Sequence, residues 1–322
     1  MMKSKLLTAG LLFFSCLMPI PASATGFSQI YAFGDSLVDN GNAYQYTGGA
    51  IPPFPYFQGR FSNGPVWVEY LANSLEIPTT NYAIGGATTG IFNTLIPSNP
   101  TALPGLTQQI QGFVNTNQQA DGQALYIIWA GANDYLPFGI QKDANQSVSN
   151  LTNAVQLLAQ KGARNFLIPN LPDLGELPGT RSRVDVDELT DISQQHNFLL
   201  NQAITALNQQ QPDIKITGLD IYSLVNQALA SPSDFGYTNV TDACFVGAIP
   251  SLCSQPNQYF FWDEIHPTTY THQIVAGAAL RAVPESFGVW GILALGAVAT
   301  TGKLKKRISK LATIPANQVL DE

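Results

Sequence analysis

Residues 29–44 read QIYAFGDSLVDNGNAY. The stretch opens as an apolar run and then turns through Gly34, Asp35 and Ser36. All three are ordinary loop formers, and for this stretch alone a turn accounts for them. A serine just past the carboxyl end of a strand also stands where open α/β sheets bind their ligands. The choice depends on whether groups able to activate that serine occur at matching places.

Runs of similar character recur along the chain: FSQIYAF, TNYAI, ALYIIWA, NFLIPN and IKITGLDIY. None alternates strictly, so each reads as a strand buried on both faces, as in a mainly parallel sheet. Between them lie helical patterns at 65–75, LTQQIQGFVNTN, ANQSVSNLTNAVQLLAQKGA and VDELTDISQQHNFLLNQAITALNQQ. In the third, Val148, Leu151, Val155, Leu157 and Leu158 fall on one broad face, with Gly162 as the stop. Strand and helix in repeated alternation predict a doubly wound, flavodoxin-like three-layer α/β/α sandwich.

The ends differ from this middle. Lys3 and Lys5, the apolar LLTAGLLFFSCLM and the small-x-small series Ala22, Ser23, Ala24 read as a signal peptide over 1–24, with cleavage after Ala24. Phe13 and Phe14 argue against a lipoprotein site at Cys16. Residues 25–282 then form one globular domain with no internal linker. They hold 19 Asp and Glu against 8 Lys and Arg, a formal charge of −11, which argues against nucleic acid and other polyanions. Cys244 and Cys253 survive signal cleavage, and an even pair in an oxidising compartment is expected to form a disulfide.

Polar loops follow the first three strands. Ser36 follows the first, Gly85 and Gly86 the second, and Asn133 with Asp134 the third. Far downstream, FFWDEIHPTTY carries Asp263 and His266. A serine hydroxyl needs a base, a group that orients the base, and donors for an oxyanion. His266 fits the base, because imidazole changes charge closest to neutrality. Asp263, three residues earlier, would leave one turn of helix on the same face as His266, whereas Glu264 would point elsewhere. The amides of Ser36 and Gly86 and the side-chain amide of Asn133 are neutral donors suited to an oxyanion. Asp35 reads as a brace for its turn and Asp134 as a brace for the Asn133 loop. His196 and His272 are expected to be surface histidines.

The blocks FGDSLVDNGN, NYAIGGATT, GAND and DEIHP, in that order, resemble the GDSL or SGNH hydrolases, a family of esterases and lipases. With GRFSNGPVWVEYLA and LPDLGELP the resemblance covers residues 27–282. It implies Ser36 as nucleophile, Asp263 and His266 as its partners, and Ser36, Gly86 and Asn133 as oxyanion donors. Gly86 is preferred to Gly85 because the family keeps a fixed distance from the block's asparagine, here Asn81. The implied activity is ester hydrolysis through an acyl-enzyme, without metal or cofactor, on a small-molecule, lipid or acylated polysaccharide ester. The alternatives are acyl transfer to another alcohol and a noncatalytic surface-binding protein.

Other features admit plainer readings. IPPFPYFQGRF, residues 51–61, reads equally as an acyl-chain surface or as a Pro-stiffened loop. VDVDEL lacks the oxygen-ligand loop of a calcium site. GAVATTGKL has the wrong spacing for a phosphate loop, and Leu304 stands where Ser or Thr is required. Residues 283–322 form a separate tail: Pro284 and Glu285, an uncharged run at 286–302 and a basic cluster at 303–307. This tail resembles a PEP-CTERM sorting segment, which implies an exosortase-like processing partner. As a helix the run would span about 26 Å, slightly short for a bilayer core but tolerable with local thinning, and the plainer reading is an amphipathic end helix or a simple membrane anchor. Localisation is therefore expected outside the cytoplasm, at the periplasm, cell surface or beyond.

Overall fold

The computed structural model describes residues 26–283 apart from 118, 137–142 and 248–250. The expected signal peptide at 1–24 and the sorting tail from Pro284 onward lie outside the described residues. The five apolar runs become β1 (Ile30–Gly34), β2 (Thr79–Asn81), β3 (Leu125–Trp129), β4 (Asn165–Pro169) and β5 (Lys215–Leu219). They form one sheet in the order β2-β1-β3-β4-β5, every pairing parallel. This is the flavodoxin-like doubly wound order, with its switch point between β1 and β3.

Successive residues of β1, β3 and β4 feed opposite layers, which is why those runs do not alternate in polarity, whereas the edge strands β2 and β5 are not buried on both faces as expected. Ile30, Ala32, Leu125, Ile127 and Trp129 face a core shared with helices Trp67–Leu75, Ile221–Ala230 and Thr269–Ala282. Phe33, Tyr126, Ile128, Phe166 and Ile216 face the second core, built with helices Leu106–Thr116, Ala144–Lys161 and Val186–Gln210. Rings of Phe33, Tyr31, Tyr82 and Tyr126 surround Phe113 at 5.0–6.0 Å, all edge to face.

Three local expectations are corrected. Gly162 does end helix Ala144–Lys161 in a left-handed conformation (φ 114°), but Leu157 lies off the buried face and is exposed. IKITGLDIY is not one strand, because the Asp220 carboxylate accepts the amide of Ser223 and starts helix Ile221–Ala230. TNYAI leaves the sheet at Asn81, where the side chain turns to donate to the carbonyl of Val38 (2.7 Å) and accept the amide of Ala83 (2.9 Å).

Candidate active site

β1 ends at the centre of the sheet, where its last residue must be small. A Cβ on Gly34 (φ 149°) would fall 2.0 Å from the carbonyl oxygen of Trp129. The buried side chain of Gln109 grips Gly34 on both sides, accepting its amide at 2.9 Å and donating to its carbonyl at 2.8 Å. The chain then closes a tight turn in which the Asp35 carbonyl accepts the amides of Val38 and Asp39. The Asp35 carboxylate accepts the amide of Leu37 at 3.0 Å, so Asp35 braces this turn. Burial pushes its carboxyl up to about 7.

The turn presents Ser36 to His266: Oγ lies 2.8 Å from Nε2. His266 Nδ1 lies 2.7 Å from Oδ2 of Asp263. The two residues are close for a different reason from the helical turn expected. Residues 263–266 are an irregular turn, in which Asp263 Oδ1 accepts the amides of Ile265 (2.9 Å) and His266 (2.7 Å) and the Trp262 amide donates to the His266 carbonyl (2.7 Å). Burial alone would raise the Asp263 carboxyl, but the charge of His266 and the hydrogen bonds from His266, Tyr56 and Ile265 hold it below its ordinary value. Helix Thr269–Ala282 begins at once, capped by Thr268.

The glycine and asparagine blocks meet the serine from the β2 and β3 sides. The amide of Gly85 donates to Asp39 Oδ2 at 2.7 Å, whereas Gly86 (φ 75°) lines the cleft beside Ser36. The amides of Ser36 and Gly86 donate to no group among the described residues. Asn133 directs one N–H at the carbonyl of Ala87 (3.2 Å), and its Oδ1 accepts from Thr94 at 3.4 Å, which leaves its second N–H for the cleft. Asp134 is buried beneath it and accepts the amide (2.8 Å) and hydroxyl (2.6 Å) of Thr89 and the hydroxyl of Ser147 (2.9 Å). Burial outweighs these bonds and pushes its carboxyl up to about 6.

These groups open into a cleft of about 640 Å³ whose walls include Ile51, Pro52, Leu95, Pro97 and Phe245. The segment at 51–61 therefore divides its two readings. Ile51, Pro52, Pro53, Tyr56 and Phe61 line the cleft, and Phe54 points outward, 94% exposed.

His196 and His272 are not surface residues. His196 lies against Gly131, where no side chain intervenes, and its Nδ1 is 2.7 Å from the Tyr135 hydroxyl. His272 accepts the Trp67 amide at 3.3 Å. Burial keeps both uncharged, pushing His196 down to about 4 and His272 down to about 3, the latter also under the charge of His266. Three contacts escape a reading of the sequence: Gln109 on Gly34, Asp39 on Gly85, and the Tyr56 hydroxyl on Asp263. The position of Asp39 within the first block was the signal available for one of them.

A hydroxyl, an imidazole and a carboxylate in hydrogen-bonded series at the carboxyl edge of a parallel sheet, with free amides beside the hydroxyl, are the equipment for acyl chemistry. The chain belongs to the GDSL-like Lipase/Acylhydrolase family, which it matches over residues 30–279, and it is an enzyme acting on ester bonds. It is 29% identical over 331 residues to the phosphatidylcholine-sterol acyltransferase of Aeromonas hydrophila, covering 85% of this chain and 97% of that protein. It is 27% identical over 277 residues to the thermolabile hemolysin of Vibrio parahaemolyticus, covering 79% of this chain and 63% of that protein. Among solved structures, a member of the lipolytic G-D-S-L family from Veillonella parvula superposes with a TM-score of 0.45 at 20% identity, over 79% of this chain and 96% of that one.

Proposed function

We propose that the protein is an exported serine ester hydrolase that forms an acyl-enzyme on Ser36. The observation that carries this reading is the unbroken series from Ser36 Oγ to His266 (2.8 Å) and from His266 to Asp263 (2.7 Å). Ser36 Oγ attacks the ester carbonyl carbon as its proton passes to His266 Nε2. The negative charge on the carbonyl oxygen meets the amides of Ser36 and Gly86 and the Nδ2 of Asn133. His266 then returns the proton to the departing alcohol. Water, deprotonated by the same imidazole, attacks the acyl carbon; the acyl–Oγ bond breaks, and His266 returns the proton to Ser36 Oγ as the acid leaves.

The apolar wall of the cleft supports an acyl group longer than acetyl, since each methylene buried there contributes about 0.8 kcal/mol. Acyl transfer to an alcohol is a second reading of the same chemistry. It is favoured by the similarity to a relative named as a phosphatidylcholine-sterol acyltransferase over nearly that protein's whole length. The bond between Cys244 and Cys253 supports export. Within this reading, residues 1–24 are a signal peptide, 25–282 the catalytic domain and 283–322 a sorting or anchoring tail processed by an exosortase-like enzyme. No described helix is long and apolar enough to cross a membrane.

Hydrolysis of 4-nitrophenyl esters of increasing chain length, with and without an added alcohol, tests the reading. The wild type should turn over and favour chains longer than acetyl, and folded Ser36→Ala should be inactive. Undiminished turnover by Ser36→Ala would sink the assignment. New ester formed from the alcohol selects transfer over hydrolysis.

A further inference from the structure

We propose that Tyr56 is a positioning residue, whose hydroxyl holds the Asp263 carboxylate in line with the imidazole of His266. The proposal rests on the reading of Ser36, His266 and Asp263 given above. Tyr56 Oη donates to Asp263 Oδ2 at 2.6 Å, and this is the same oxygen that meets His266 Nδ1 at 2.7 Å. The other oxygen is fixed by the amides of Ile265 and His266. The backbone thus pins one end of the carboxylate, and Tyr56 stops the other from swinging away as His266 takes up and releases its proton.

The hydroxyl is placed by contacts that owe nothing to Asp263. The Tyr56 ring stands edge-on to Phe61 (6.3 Å), Phe245 (5.8 Å) and Trp262 (6.3 Å). Phe61 in turn lies 5.2 Å from the His266 ring. The segment is bolted to the catalytic turn a second time, because Ser62 donates its hydroxyl to the carbonyl of Pro267 at 2.8 Å. Burial, and then the negative charge of Asp263, push the phenol far above its ordinary value, so Tyr56 remains a donor throughout the working range. Its neighbours Ile51, Pro52 and Pro53 wall the cleft. One segment therefore shapes the acyl site and aligns the dyad.

The experiment is a double-mutant cycle in the full chain: wild type, Tyr56→Phe, Asp263→Asn and the pair, with kcat and KM measured on 4-nitrophenyl butyrate. Phenylalanine keeps the ring and its packing and removes the hydroxyl. A single charge-assisted hydrogen bond implies a fall in kcat on the order of tenfold for Tyr56→Phe, with KM within about twofold. In the Asp263→Asn background the same change should cost no further kcat, because Tyr56 acts through Asp263. Unchanged kcat in folded Tyr56→Phe overturns the proposal, and so does an equal loss in both backgrounds, which is what a packing role would give. Ser36→Ala is assayed alongside. Turnover that survives it overturns the reading of the site and the proposal together, whereas an inert Ser36→Ala beside an unaffected Tyr56→Phe overturns the proposal alone.

Discussion

The carboxylate of Asp39 joins two loops of the site, accepting the amide of Gly85 at 2.7 Å from across the sheet and the amides of Gly41, Asn42 and Ala43 at 2.6–3.0 Å from its own. The loop after β1 carries Ser36 and the loop after β2 carries Gly86. Asp39 fixes the distance between them although it touches neither the cleft nor the serine hydroxyl.

Asp39→Asn places an NH₂ where N–H donors converge, so at least one buried amide loses its acceptor. A loss of about 2 kcal/mol in stability is expected, read as a lower urea midpoint at unchanged slope. kcat should fall with it, because the serine and the glycine amide shift relative to one another. An unchanged midpoint would show that the displaced amides find other acceptors.

The proposed oxyanion donors make a sharper case. Gly86 has φ 75°, and a Cβ there would lie 2.7 Å from both Asn93 Oδ1 and Leu95 Cγ. Gly86→Ala must displace its own amide, and misplacement by an ångström can cost about 10²-fold in kcat. Asn133→Ala removes a side-chain donor and is expected to cost on the order of 10² to 10³ in kcat, with little change in KM. Gly112 is the control: nothing lies within 4 Å of its Cβ position, and Gly112→Ala in helix Leu106–Thr116 should stabilise by about 0.5–1 kcal/mol without touching activity. Steady-state kinetics and urea unfolding on the three variants separate these outcomes.

Much of this was legible in the sequence for identifiable reasons. Strands buried on both faces betray a parallel sheet by their lack of alternation, and the loops at their carboxyl ends are where the site had to be. What escaped was contact between distant segments. His196 reads as a surface histidine, but Gly131 opens a gap in the opposing loop into which the imidazole packs. Tyr56 reads as one aromatic among several in a proline-rich loop. Its role depends on a hydroxyl meeting a carboxylate 207 positions later, which no local pattern encodes.

The buried histidines impose a sign on the pH dependence of stability. His272 is pushed from 6.5 down to about 3, so the unfolded chain takes up its proton first. The stability this group contributes is fully present above pH 6.5 and is lost as pH falls from there through about 3. Asp35 works in the opposite sense: its contribution is present below 3.8 and lost as pH rises through about 7, so the slope of the wild type alone mixes the two. The measurement is therefore a difference. His272→Gln should be less stable than wild type at pH 7, since the Trp67 amide loses its imidazole acceptor, and the gap should narrow as pH falls from 6.5 to 4. A constant gap would mean that His272 carries no titration difference between folded and unfolded chains.

The disulfide closes the strand pair that carries Phe245, a residue of the cleft wall, and its removal should be felt in both stability and chain-length preference. Cys244 and Cys253 are nine residues apart, and closing so short a loop is worth about 2 to 3 kcal/mol in the chain-entropy account. The amide of Cys253 donates to the carbonyl of Cys244 (2.8 Å), and that of Phe245 to Trp262 (2.7 Å), directly before Asp263. Phe245 stacks on Trp262 at 5.8 Å and lines the cleft. With the bond gone Phe245 keeps its hydrogen bond and stacking with Trp262, but the strand pair behind it loosens and the wall with it, while Ser36, His266 and Asp263 keep their own contacts. The double variant Cys244→Ser with Cys253→Ser should therefore unfold at lower urea and show a raised KM for hexanoyl esters, with acetyl ester turnover changed by less than about twofold. An equal loss on both esters would place the disulfide's influence on the turn at 263–266, through Trp262, instead of on the cleft wall.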